Sequence, residues 1–194
     1  MRLDSTNFNR CHFIVGTNAI RLTYAKRVDL AAKILTVSDS VVAGSREDTA
    51  GPRLATLLEE HGYAVVERRA VADGIEPVAL VLREMVADFS GLLVTTGGTG
   101  FSPRDLTPEA TMTVVDREAP GLAEAMRLTN PLGRLSRARA GTIGNCLILN
   151  TPGSPRGATE YLEAVLDVLG HALELLGGDQ DQLHPPEIGG STAV

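Results

Sequence analysis

The run Leu92-Leu93-Val94 leads straight into Thr95-Thr96-Gly97-Gly98-Thr99-Gly100. Glycines placed directly after a strand let backbone N–H groups come close to a phosphate, so Thr96 to Gly100 is a candidate anion cradle. A tight structural turn explains the same glycines about as well, and spacing alone does not separate the two. Better-known frames do not fit. Gly98-x-Gly100 is followed three residues later by Pro103, not by the glycine of a dinucleotide fingerprint. The only lysines, Lys26 and Lys33, do not close a Walker frame, and neither Ser102 nor Ser154 sits in a G-x-S-x-G elbow.

Beyond the glycines, Ser102-Pro103-Arg104-Asp105-Leu106-Thr107-Pro108 adds a guanidinium, a carboxylate and two hydroxyls. That mixture suits a metal-bound polyphosphate. Magnesium takes one or two protein carboxylates alongside water and phosphate oxygens, so Asp105 alone suffices on the protein side. A helix cap at Asp105, paired with Arg104, is compatible with the same residues. Asp73, in Ala72-Asp73-Gly74, reads alone as a turn residue bonding its own backbone. If its strand lies near the glycine strand, Asp73 and Asp105 share one rim, and two carboxylates beside a phosphate loop imply a bound cation. Arg127, Arg134, Arg137 and Arg139 form a basic run that is more often a solvated face than a substrate site. The four histidines are scattered, His184 falls near Asp179 and Asp181 in the terminal segment, and none is read as catalytic.

The elements that must position these groups follow from pattern. Strands are expected at Ala31 to Val37, ending in the turn cluster Ser38-Asp39-Ser40, at Ala64 to Val71, at Leu92 to Val94 and at Cys146 to Leu149. Between them, Gly51-Pro52 opens a helix closed by His61-Gly62, and Pro77 starts another running to about Phe89. Pro108 is placed to start a third, and an amphipathic helix ends near Leu176. Strands alternating with helices predict an α/β fold: three layers, α/β/α, around a mostly parallel, Rossmann-like sheet. Such sheets bind ligands beyond the carboxyl ends of their strands, where Asp39, Asp73, Thr96 to Asp105 and Asn150 to Ser154 fall. Residues 1–30 are left unassigned, since Phe13 to Val15 and Ile20 fit either an edge strand or an extension. Residues 31–176 form the expected domain, and residues 177–194 a loose tail rich in Gly, Pro, Gln and Asp.

Composition excludes several classes. The 194 residues are 43% hydrophobic and 22% charged, the balance of a soluble globular domain large enough for its own core. A net charge of −6 gives no long-range attraction to nucleic acid or anionic membrane, and a chain without tryptophan offers little for base stacking. Cys11 and Cys146 form no C-x-x-C pair. With no apolar leader or spanning segment, the expectation is a cytoplasmic protein in a reducing compartment.

Taken together, Leu35 to Asp39, Asp48 to Pro52, Val71 to Asp73, Thr95 to Thr111, Asp116 to Gly121, Ser136 to Ala138, Gly141 and Asn150 to Pro155 resemble one family. It is the molybdopterin-binding domain of molybdenum-cofactor biosynthesis (MogA/MoaB type), which includes molybdopterin adenylyltransferase and the gephyrin-type G domain. The resemblance covers about Ala31 to Leu176. It implies a homotrimer that uses magnesium and ATP to adenylylate the terminal phosphate of molybdopterin, releasing pyrophosphate, and hands the product to a molybdenum-insertion protein. Carried over by position, Asp73 and Asp105 are the critical aspartates and magnesium ligands, and Gly97, Gly98, Thr99 and Gly100 cradle phosphate. Ser38, Asp39, Thr96, Ser102, Arg104, Ser136, Asn150, Pro152, Gly153 and Ser154 complete the implied ligand-binding set. A non-catalytic pterin carrier and a nucleotide pyrophosphatase on a related domain are the alternatives, since the same loops serve either.

Overall fold

The computed structural model describes residues 30–178. The expectations for residues 1–29 and 179–194, including Cys11 and His184, lie outside them. Six strands form one sheet: β1 (Ala31–Val37), β2 (Ala64–Val71), β3 (Gly91–Thr96), β4 (Arg117–Glu118), β5 (Ala140–Ile143) and β6 (Cys146–Thr151). Their order across the sheet is β2-β1-β3-β6-β5-β4. The first four in that order run parallel, and β5 and β4 close the other side antiparallel.

Alternation along each central strand builds two cores. Ala32 and Ile34, Leu92 and Val94, and Leu147 and Leu149 enter one cluster, whereas Leu35 and Val37, Leu93, and Cys146 and Ile148 enter the other. Successive side chains of a strand point to opposite faces, so a continuous apolar run must find cover on both. α1 (Asp39–Val42) is a single turn after β1; the first face packs against α2 (Ala50–Glu60), α5 (Pro120–Arg127), α6 (Pro155–Glu163) and α7 (Leu166–Leu176), the second against α3 (Ile75–Val86) and α4 (Thr107–Met112). The three-layer expectation holds. No described helix is long and apolar enough to cross a membrane.

Two boundaries differ from the sequence reading. α3 begins at Ile75, with Pro77 still in its first turn, where the missing N–H would lack a partner anyway. It stops at Val86 because Ala87 turns out of the helical region (ψ 123°) and Asp88 follows with a left-handed φ of 53°, so Phe89 packs from outside the helix. β5 and β4 were not anticipated, and β5 pairs with β6 through a turn at Gly144 and Asn145. Cys146 is buried at the sheet centre, and burial pushes its thiol up to about 12, which makes it an inert core residue.

Asn150 is fully buried at the end of β6. Its amide Nδ2 donates to the Thr95 hydroxyl at 3.0 Å and the Thr111 hydroxyl at 2.9 Å, and its Oδ1 accepts from Arg139 N–H at 3.2 Å. This ties β3, α4 and β6 together behind the loops. Replacing Asn150 with Ala leaves two buried hydroxyls and a backbone donor unpaired, at a cost of roughly 2–4 kcal/mol. Urea denaturation of Asn150→Ala measures this, and a loss below about 1 kcal/mol would contradict the assignment.

Candidate active site

Because β1 neighbours both β2 and β3, chain direction across the sheet switches between β1 and β3, and a crevice opens beyond their carboxyl ends. There the loops after β1, β2, β3 and β6 enclose a cleft of about 1260 Å³. A single small-molecule site usually measures about 300–1000 Å³, so the cleft has room for two ligands side by side.

Its floor is the glycine segment. Gly97 (φ 104°) donates its N–H to the Thr151 carbonyl at 3.1 Å and lies so close to the Val37 carbonyl that a Cβ would collide with it. Gly98 (φ 62°) leaves no space for a Cβ beside the Thr107 hydroxyl. Three successive carbonyls of the loop are bound to the protein body. The Gly98 carbonyl accepts from Thr107 N–H at 3.0 Å, that of Thr99 from Arg137 N–H at 2.8 Å, and that of Gly100 from Arg137 Nε at 2.8 Å. In a trans peptide the C=O and the following N–H point in opposite directions. Anchoring these oxygens therefore turns the N–H groups of Thr99, Gly100 and Phe101 away from the body. Among the described residues those three donors, and Gly98 N–H, have no partner. Successive free amides of this kind form an anion-binding nest.

Two carboxylates border the nest. Asp73 lies where a Cβ on Gly98 would sit 3.3 Å from its Oδ1, and Asp105 where a Cβ on Gly100 would sit 2.9 Å from its Oδ2. Asp73 Oδ2 accepts from Asp39 N–H at 2.8 Å, and Asp105 Oδ2 accepts from Ser102 N–H at 2.9 Å. In both residues Oδ1 has no hydrogen-bond donor among the described residues. The described residues contain no cluster of three or more His, Cys, Asp or Glu able to enclose a metal. Two hard carboxylate oxygens beside a phosphate cradle fit magnesium, which leaves its other positions to water and phosphate.

Arg104 closes the outer side of this rim. Its Nε lies 2.7 Å from Asp39 Oδ2, and its Nη2 donates to Asp39 Oδ1 at 2.9 Å and to the Asp73 carbonyl at 2.7 Å. Asp73 N–H returns a bond to Asp39 Oδ1 at 3.0 Å. The hydrogen bond from Arg104 holds the Asp39 carboxyl below the ordinary carboxylate range. Asp39 and Arg104 thus form a latch across the rim, fixing where Asp73 stands.

Opposite, Ser154 caps α6 by accepting from Gly157 N–H at 3.2 Å, with Pro155 in the first helical position, so that helix presents its N-terminal end to the cleft. Gly153 approaches so closely that its Cβ would stand 3.2 Å from the Gly97 Cα.

Of the sequence-derived residues, Ser38, Asp39, Asp73, Thr96, Gly97, Gly98, Thr99, Gly100, Asp105, Ser136, Pro152, Gly153 and Ser154 line the cleft. Thr96 donates its hydroxyl to the Pro152 carbonyl at 2.7 Å. Ser102 and Arg104 stand outside the lining and act on Asp105 and Asp39. Asn150 is not brought to the cleft at all, because its side chain is consumed by the buried network. The basic run divides: Arg127 donates to the Ala138 carbonyl, Arg139 pairs with Glu118, and Arg137 supports the glycine loop.

Sequence reasoning missed the lining residues Asp48, Asn130, Leu132, Arg156 and Glu160. Asp48 accepts from the Thr36 hydroxyl at 2.8 Å and Gly51 N–H at 2.9 Å. Asn130 caps a 3-10 turn at Pro131–Leu135 through Gly133 N–H at 3.1 Å and donates to Glu160 at 2.6 Å. The Asn130-Pro131 pair was a readable turn signal. The hydrogen bond from Arg156 holds the Glu160 carboxyl low.

Two outcomes are expected. Gly98→Ala places a side chain at positive φ against Thr107, so it should lower the thermal midpoint and abolish pyrophosphate binding; unchanged binding in a calorimetric titration would refute the cradle. Because the Asp39 carboxyl sits below its ordinary value in the folded chain, the latch stabilises the protein above that value and is lost as pH falls through the lowered one. In Arg104→Gln, NMR titration should find the Asp39 carboxyl returned upward toward the ordinary value of 3.8.

Residues 33–171 match the family model described as "Probable molybdopterin binding domain". The chain is 36% identical over 162 residues to the molybdopterin adenylyltransferase of Helicobacter pylori, covering 80% of this chain and 92% of that protein. It is 37% identical over 153 residues to the molybdenum cofactor synthesis protein cinnamon of Drosophila melanogaster, covering 75% of this chain but only 25% of that longer protein. The solved molybdopterin biosynthesis enzyme MoaB of Thermus thermophilus superposes with a TM-score of 0.72 at 46% identity, over 77% of this chain and 97% of that one. With the family model spanning most of its length and the sheet, helices and cleft in place, this chain belongs to the molybdopterin-binding domain family of molybdenum-cofactor biosynthesis.

Proposed function

We propose that this protein is a nucleotidyltransferase that adenylylates the terminal phosphate of molybdopterin, with Mg–ATP as co-substrate and pyrophosphate as product. The observation that carries the reading is the amide nest of Gly98 to Gly100, bordered by Asp73 and Asp105, in a cleft large enough for two ligands. Support comes also from relatives named molybdopterin adenylyltransferase at 36% and 40% identity.

An oxygen of the pterin phosphate attacks the α-phosphorus of ATP. The bond from that phosphorus to the bridging oxygen breaks, and pyrophosphate leaves with the electron pair. No proton need be removed from the attacking phosphate, so catalysis consists of alignment and charge neutralisation. The nest N–H groups and the α6 N-terminus hold phosphate oxygens, while the Asp39–Arg104 latch fixes Asp73. Asp73 and Asp105 are the residues that would hold magnesium, which supplies neutralisation of charge between the two anions. Assembly as a homotrimer, a cytoplasmic location and transfer of product to a molybdenum-inserting partner belong to the same proposal.

The test is incubation of the pure protein with molybdopterin and Mg–ATP, reading adenylylated pterin and pyrophosphate. Tight pterin binding without product would leave a carrier; hydrolysis of free nucleotide without pterin would mark a pyrophosphatase. Asp105→Asn and Asp73→Asn should each lower turnover by about a hundredfold or more while leaving the thermal midpoint and pterin affinity near wild type.

A further inference from the structure

We infer that Arg137, which is absent from the cleft lining, is the positioning residue whose guanidinium clamps the Gly100–Asp105 turn, setting the Phe101 N–H and the Asp105 backbone beside the glycine cradle; this rests on the phosphoryl-transfer reading above. Arg137 sits behind the loop, in a separate depression with Pro108, Glu109, Met112 and Arg139. Its backbone N–H binds the Thr99 carbonyl and its Nε the Gly100 carbonyl, both at 2.8 Å. Its Nη2 donates to the Asp105 carbonyl, and its Nη1 pairs with the Glu109 carboxylate. One side chain therefore holds both feet of the loop that runs from Gly100 to Asp105.

Each anchored carbonyl dictates where the next N–H points. The guanidinium thereby sets the direction of the Phe101 amide and holds the backbone of Asp105 at the rim, whereas the Gly100 amide is oriented by the backbone N–H of residue 137, which any side chain at that position leaves in place. Glu109 orients the guanidinium in turn through its Oε1, which is on Nη1; its buried Oε2 has no partner among the described residues. The role suits arginine. Nε and Nη2 are two parallel donors on one rigid edge, which spans two carbonyls as it would span two carboxylate oxygens. A lysine supplies the charge but only a single mobile head.

A merely structural arginine would affect stability and leave ligand affinity and the split between kcat and KM alone. Arg137→Ala and Arg137→Lys in the full chain separate the two roles, with Arg139→Met as a control from the same basic run, since Arg139 pairs on the surface with Glu118. The measurements are calorimetric titration with magnesium pyrophosphate, the thermal midpoint, and kcat and KM for Mg–ATP. In Arg137→Ala, pyrophosphate affinity should fall about tenfold or more and kcat about a hundredfold, with methylguanidinium restoring part of the binding. Arg137→Lys should recover little of either, and Arg139→Met should match wild type. Wild-type affinity and kcat in Arg137→Ala, or full recovery by lysine, would overturn the inference; if the alanine variant does not fold, the lysine variant decides alone. A wild-type protein that binds pyrophosphate but forms no adenylylated pterin overturns the proposed activity, and the binding measurements still decide Arg137. No binding by wild type overturns both.

Discussion

The opposed directions of C=O and N–H within a trans peptide govern this site. A loop cannot present several amides to an anion unless the matching carbonyls are bound elsewhere. Here Thr107 and Arg137 bind them, from α4 and from the segment entering β5. The cradle is therefore a property of three chain segments acting together. Left-handed φ values at Gly97 and Gly98 allow the bend, and the neighbours' donors select one orientation from those the glycines permit.

The sheet serves the same end. Parallel β1, β3 and β6 deliver their following loops to one edge, and the two apolar clusters on either face fix the strands in register. Buried polar groups refine this, since Asn150 joins β3, α4 and β6 directly behind the loops. A fully satisfied polar network in a core specifies a single arrangement, which a purely apolar contact does less well. The Asp39–Arg104 latch adds the same specificity on the solvent side, where its contribution weakens with salt.

Much of this was legible in the sequence because central parallel strands read as continuous apolar runs. β1, β3 and β6 were found for that reason; β2, an edge strand carrying Glu67, Arg68 and Arg69, was found from its β-branched residues, and the helices at Pro52 and Pro108 from their starting prolines. β4 and β5 escaped because they are two and four residues long, and β5 carries Gly141 in place of an apolar side chain. The glycine loop and its flanking aspartates were readable from residue type. Asn150 was misplaced because an asparagine after a strand looks the same whether it faces a ligand or a buried hydroxyl. Asn130, Glu160 and Arg156 reach the cleft through tertiary packing of the 3-10 turn on α6, which local pattern does not encode.

The proposed phosphate binding by a chain with a net charge of −6 needs explanation. Long-range steering is unavailable, and two of the residues at the cradle are themselves acidic. Oriented amides resolve the difficulty, since their field is short-ranged and fixed, and it costs no reorganisation when the ligand arrives. The guanidiniums nearby are mostly committed: Arg104 to Asp39, Arg156 to Glu160, Arg137 to carbonyls and Glu109. A site dominated by free lysines and arginines would hold any polyanion. One built from directed N–H groups and two carboxylates instead discriminates by geometry, and it favours an anion that brings a divalent cation with it, because only then are the aspartates an attraction.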